Sequence, residues 1–343
     1  MQAIKPVAIA LSVAALFGCS QDKPQATEQT AQEPVTQPSQ EPKTIAISAI
    51  VEHPSLNDIR KGLIYGLGEL GYKDGQNLTV NFQSAQGNMA TAGQIAKQFA
   101  ADNPDVIVAI TTPTAQTVAA VTQSIPLVYT AVSDPVAAKL LDEDGKPTQP
   151  NVTGLSSELP LAPQIDMIKK VVPNAKRIGF VYSPGEANSV SIRDRLLVEL
   201  PKRGMELVDV PANRSADVAD AARALAGKVD LFYTSLDNGV ASAMEALVGA
   251  ANEQKVPVLT SDEFSVRRGA TAALGVNDFD FGVVTAKLVA DVLNGKSPSE
   301  VAPSKMNTMT FYISPKHAKT QGVQVTDALL KDAINVDTTP PKE

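Results

Sequence analysis

From Lys43 onward the chain repeats one pattern, a short unbroken apolar run followed by a longer stretch with helical spacing. The runs fall at 45–51, 78–82, 106–110 and 127–130, and the helical stretches at 56–71, 90–102 and 114–122. Apolar residues that do not alternate with polar ones mark strands buried on both faces, so the pattern predicts a parallel sheet between helices. The series then restarts, with runs at 177–182, 206–210, 231–234 and 258–260 and helices predicted at 189–203, 216–226 and 240–253.

The restart is a duplication. NPDVIVAITTPTAQ at 103–116 pairs with KVDLFYTSLDNGVA at 228–241, and SIPLVYTAVSDP at 124–135 with KVPVLTSDEF at 255–264. The expected fold class is therefore α/β, two Rossmann-like lobes with parallel sheets joined by a multi-strand hinge. A helix at 281–294, a strand at 308–313 and a helix at 315–321 are too little for a third copy and are expected to return to the first lobe. The predicted first lobe is 44–153 plus 279–335, the second 154–278, and 336–343 is a tail. Crossings are expected at 151–154, 275–277 and 306–308, which would let the lobes close by hinge motion.

The segment ahead of the lobes reads differently. Residues 1–19 hold one lysine, an apolar run at 7–17 and then Gly18-Cys19, the layout of a secretory signal. That run is too short to span a bilayer. Leu16-Phe17-Gly18-Cys19 resembles the bacterial lipobox, which would make Cys19 the lipidated first residue of the mature chain. Residues 20–43 set prolines among Gln, Glu and Thr with little apolar content, so they are expected to stay extended as a tether. Cys19 is the single cysteine, so the folded body has no disulfide. A net charge of -7 with no basic stripe excludes a nucleic-acid backbone as partner.

Ligands of open parallel sheets bind beyond the carboxyl ends of the strands. In the first lobe those positions hold His53, then Thr111 and Thr112, then Ser133 and Asp134; in the second they hold Asn188 and Ser189, then Asp237. Helix-start N–H groups aided by Thr and Ser hydroxyls bind carboxylates, although the same residues also serve as plain N-caps. Asp237 stands 125 positions after Thr112, so the duplication sets an acid opposite a hydroxyl. Together they suit a zwitterion, with its carboxylate on Thr111, Thr112 and Ser133 and its ammonium on Asp237. His53, Tyr182 and Phe264 end or follow strands and are candidates for the side-chain pocket or for the core.

Other chemistry is poorly supplied. Gly66-Leu67-Gly68-Glu69-Leu70-Gly71 matches the dinucleotide pattern GxGxxG but lies at the far end of a predicted helix, where its glycines cannot face a pyrophosphate. No Gly-x-Ser-x-Gly elbow, P-loop or HExxH is present, and the two histidines, His53 and His317, form no motif. The sequence predicts neither an enzyme nor a resident cofactor or metal.

IVEHPSLNDIRKGL at 50–63, TTPTAQ at 111–116, VSDPVAA at 132–138, NVTGLS at 151–156 and SDEFSVRRGATAALGV at 261–276 occur in that order. In these stretches the chain resembles the type I periplasmic binding proteins of ABC importers, within the lipoprotein subfamily that includes tryptophan- and tyrosine-type binders. The resemblance implies capture of an amino acid, an aromatic one, between closing lobes, and delivery to an ABC permease and its ATPase subunits. It further implies a monomer held outside the cytoplasm by its lipid. A sensor that presents its closed state to a membrane receptor, or a binder of a branched-chain amino acid or nucleoside, are the alternative readings.

Overall fold

In the computed structural model, which describes residues 41–306 and 308–342, the apolar runs become the strands of two sheets. The first half of the chain supplies β1 (Lys43–Ala49), α1 (Pro54–Glu69), β2 (Leu78–Ser84), α2 (Met89–Asp102), β3 (Val106–Ile110), α3 (Thr112–Val121), β4 (Leu127–Val132) and β5 (Val152–Ser156). The second supplies α4 (Leu161–Val171), β6 (Arg177–Tyr182), α5 (Ala187–Glu199), β7 (Glu206–Pro211), α6 (Val218–Ala226) and β8 (Leu231–Tyr233). It continues with α7 (Asn238–Ser242), α8 (Met244–Glu253), β9 (Val258–Thr260), α9 (Glu263–Arg267) and β10 (Ala272–Gly275). The chain then adds α10 (Asp278–Leu293) and β11 (Ser304–Lys305), followed by β12 (Thr310–Ile313), α11 (Pro315–Thr320), α12 (Asp327–Lys331) and β13 (Ile334–Asn335). The signal and tether read at 1–19 and 20–43 fall, but for the last three tether residues, outside the described residues.

The first sheet runs β2-β1-β3-β4-β5-β11 and the second β7-β6-β8-β9-β10-β12-β13. Both therefore start from the same five-strand order, as a duplication requires. In each, the order reverses between the first strand and the third, and a crevice opens there at the carboxyl ends. Burial follows the apolar runs: all five residues of β3 are buried. On one face Ile107 and Ala109 meet Ile95 and Phe99 of α2 and Val118 of α3. On the other Val106, Val108 and Ile110 meet Leu63 and Leu67 of α1 and Val289 of α10.

Three crossings join the lobes, after β5, after β10 and after β11. They move two expected boundaries. β5 pairs with β4 through Ser156, so the first lobe runs past 153. β12 pairs antiparallel with β10, and β13 pairs parallel with β12, so the segment expected to remain in the first lobe to 335 leaves it after Lys305. An antiparallel strand added at a sheet edge carries no local signal of which sheet it joins. The expected tail is held too, since Arg267 donates to the carbonyls of Val336 at 3.0 Å and Thr339 at 2.7 Å.

Gly66 of the GxGxxG stretch serves packing, together with Gly62 and Gly282. A Cβ on Gly62 would lie 2.0 Å from the Phe279 carbonyl oxygen, one on Gly66 2.7 Å from Ala286 Cβ, and one on Gly282 2.0 Å from the Ile59 carbonyl oxygen. α1 and α10 thus touch backbone to backbone. Gly71, with φ 91°, ends the turn after α1, where its N–H donates to Gly68 O at 3.0 Å. Gly282→Ala is expected to destabilise the protein by at least about 1–3 kcal/mol in urea unfolding, through overpacking. Gly68→Ala is the control: nothing lies within 4 Å of its Cβ position. Its effect should stay under about 1 kcal/mol.

Candidate functional site

The loops that leave the two crevices face each other across one cavity. From the first lobe come His53 at the start of α1, Thr111 and Thr112 at the start of α3, and Ala131 at the end of β4. From the second come Asn188 of α5, Ser235 to Asn238 before and within α7, and Asp262 before α9. The crossings add Ser157, Leu159, Val276 and Asp278. Leu56, Ile59 and Phe281 form an apolar wall with Leu159 and Val276. Among the described residues no group of three or more His, Cys, Asp or Glu is placed to hold a metal ion.

Two wall residues are strained. Thr111 has φ 84° and Ala131 φ 55°, a region that residues with a Cβ seldom occupy. Thr111 is held there by its N–H donating to Thr130 O at 2.9 Å and by its carbonyl accepting from Ala115 N at 3.1 Å. A register shift in β4 between Thr130 and Val132 sets Ala131. The strain places Thr111 at the cavity wall, and its buried Oγ1 has no hydrogen-bond partner. Ser157 Oγ, Ser235 Oγ and Asn188 Oδ1, around the same cavity, are also buried and unpartnered. Each such atom costs about 1–3 kcal/mol until something bonds to it.

Asp237 does not keep its expected role. Its carboxylate accepts from Ser183 N at 2.6 Å, Ser183 Oγ at 2.7 Å, Ser189 Oγ at 2.5 Å and Val240 N at 2.8 Å. Four donors from its own lobe saturate it, so it braces the start of α7 and has no lone pair left for an ammonium. Glu186 lies beside it and accepts from Asn238 Nδ2 at 2.6 Å and Gly239 N at 3.1 Å. Burial, then the charge of Asp237, pushes the Glu186 carboxyl up to about 7. Asn188 spends its Nδ2 on Leu236 O at 2.8 Å, which leaves its Oδ1 free for the cavity.

The remaining sequence-predicted residues divide. His53, Thr111, Thr112, Asn188 and Asp237 line the cavity; Ser133, Asp134, Ser189, Tyr182 and Phe264 do not. Ser133 is buried, and Ser189 is spent on Asp237. Tyr182 stacks on Phe180 at 6.2 Å between ring centroids, with the Arg193 guanidinium 5.4 Å from its own. Sequence reasoning missed Ser157, Asp278 and Phe281. Their signal is position, at or just beyond a crossing, where a chain passing between lobes must border the cleft.

Comparison with known proteins gives the family. The family model described as ABC transporter substrate binding protein matches residues 44–337. The chain belongs to this family. It is 36% identical over 318 residues to a tyrosine-binding protein of Clostridioides difficile (strain R20291), covering 93% of this chain and 91% of that protein. Among solved structures, an ABC domain from Streptococcus pneumonia in complex with L-Trp is 31% identical with a TM-score of 0.82, covering 86% of this chain and 99% of that one. The ligand-free, open structure of a substrate-binding protein with adhesive properties from Clostridium difficile is 35% identical, covering 87% and 100%, with a TM-score of 0.66.

The substrate-binding protein described here superposes better on the ligand-bound relative, although the open one is more alike in sequence. Among the described residues three hydrogen-bond contacts cross the cleft. Arg268 Nη1 lies 2.7 Å from His53 Nε2, Ser55 Oγ donates to Asp262 at 3.5 Å, and Ser191 Oγ donates to Asp134. Asp134 thus binds the opposite lobe and lies outside the cavity lining. These lobes are closed.

The His53 contact is sensitive to pH. Donors face both ring nitrogens, Arg268 Nη1 at Nε2 and Ser55 N at Nδ1, so every ring proton points at a donor and a second one adds to the conflict, at Arg268 a charged one. Burial lowers the imidazole pKa below its usual 6.5, Asp262 opposes this, and Arg268 adds to the lowering. A histidine held low in the folded state stabilises nothing extra above 6.5 and penalises the fold as pH falls below it, because the unfolded chain takes the proton first. His53→Gln keeps an acceptor for Arg268 but cannot titrate. Melting curves from pH 7.5 down to about 5 should show the parent losing stability relative to this variant; parallel curves would contradict the assignment.

Proposed function

We propose that the protein is the lipid-anchored, extracytoplasmic binding component of an ABC importer for an aromatic amino acid. The observation that carries this reading is the closed cavity itself, in which unpartnered hydroxyls of Thr111 and Ser157 meet an apolar wall ending in Phe281. The hydroxyls and the first N–H groups of α3, with Thr112, suit a carboxylate. The wall suits a ring. The tyrosine-binding relative and the L-Trp complex support the same class. Cys19 carries the anchor in this reading, and the tether lets the lobes reach a permease and its ATPase subunits.

Calorimetry on the ligand-stripped protein should find L-tyrosine, L-tryptophan or L-phenylalanine binding at one site per chain, with leucine and nucleosides much weaker. At a hundredfold excess over Kd the bound amino acid should stabilise the fold by about 2.7 kcal/mol. Ser157→Ala removes one donor to a charged group and should weaken binding by about 1.5–3 kcal/mol, roughly tenfold to a hundredfold. Binding of a nucleoside or leucine with no aromatic amino acid bound would overturn the reading.

A further inference from the structure

The cavity is charged on one side. Asp262 and Asp278 line it, and among the described residues no Lys or Arg does. Nearby acids are already matched: Asp58 pairs with Lys61 at 2.9 Å, Glu263 pairs with Arg267, and Asp237 has its four donors. Asp262 accepts from Ser265 N at 2.7 Å and Thr260 Oγ1 at 3.1 Å, all neutral groups of its own lobe. Ser55, at the start of α1, donates its hydroxyl to Asp262 from across the cleft at 3.5 Å.

The two acids come from different lobes. Asp262 precedes α9 beside the second sheet, and Asp278 opens α10, which packs under the first. Closure therefore drives two unneutralised carboxylates together as it removes water from between them. Burial and then the charge of Asp262 hold the Asp278 carboxyl well above its usual range, with Asp58 and Glu263 adding to the effect and the Ser55 hydroxyl opposing it. The buried, unpartnered atoms of Thr111, Ser157, Asn188 and Ser235 on the same cavity show independently that something is to be bound there.

We infer that Asp278 and Asp262 form the amine end of the ligand site, one acid from each lobe, and that the ligand's ammonium is the charge that permits closure. The inference rests on the amino-acid reading and deepens it. It makes the site selective for a primary ammonium: a hydroxy acid, a keto acid or a deaminated analogue of the right shape would fill the apolar wall and still leave the carboxylates in conflict. It also gives the empty protein a reason to stay open, since the ligand's ammonium relieves the repulsion between the lobes without Asp278 taking up a proton.

The test is calorimetry of the parent and Asp278→Asn with L-tyrosine and with 3-(4-hydroxyphenyl)propionate, which lacks the amine. The parent should bind tyrosine and scarcely bind the analogue. Asp278→Asn should bind tyrosine roughly tenfold to a hundredfold more weakly and the analogue more tightly than the parent does. Asp262→Asn should shift both in the same directions, by less, because Asp262 also caps α9. If Asp278→Asn binds tyrosine as well as the parent, or loses both ligands equally, the inference fails while the amino-acid reading stands. A parent that binds neither ligand nor any other aromatic amino acid overturns both.

Discussion

A buried polar atom without a hydrogen-bond partner costs about 1–3 kcal/mol, so several of them around one space favour whatever can enter and bond to them. Here four such atoms, on Thr111, Ser157, Asn188 and Ser235, border the cavity between the lobes. Asp262 and Asp278 add charge, and among the described residues no Lys or Arg lines the cavity to match it. The cavity is thus polar and charged where it should accept a carboxylate and an ammonium, and apolar where Leu56, Ile59 and Phe281 meet. Its chemistry is incomplete until a zwitterion with an apolar side chain enters.

The rest of the architecture delivers those groups. Each sheet reverses its strand order between the first and third strands, and both crevices open toward the same cavity. The glycine contact of α1 with α10 fixes His53 and Ser55 against Asp278, since these residues start the two helices. Asp237 and Glu186 carry no ligand in this account. They hold the short α7 in place, which in turn presents Ser235 and Asn238. Closure is recorded outside the cavity, where Asp134 meets Ser191, and at its edge, where His53 meets Arg268.

Much of this was legible in the sequence, for physical reasons that also mark the limits. Strands buried on both faces are unbroken apolar runs, so both sheets and their duplication could be read directly. Junction residues after those strands were singled out because ligands bind at such junctions, and of them His53, Thr111, Thr112 and Asn188 line the cavity. The duplication also pointed to Asp237, but its saturation depends on Ser183 and Ser189, about fifty residues away in sequence, and no local pattern shows that an acid is already spent. Asp278 and Phe281 open a helix that reads as plain first-lobe core. They border the cavity because the chain has just crossed the hinge. β12 was assigned to the wrong lobe, since an edge strand of four residues carries no mark of its sheet.

The orientation of the bound amino acid tests the account most directly, and a crystal structure grown with L-tyrosine would show it. The account predicts the carboxylate on Thr111, Thr112 and Ser157, the ring against Leu56, Ile59 and Phe281, and the ammonium between Asp262 and Asp278. A tyrosine whose ammonium lies on Asp237 with Asp278 facing solvent, or one bound outside the cavity, would contradict it.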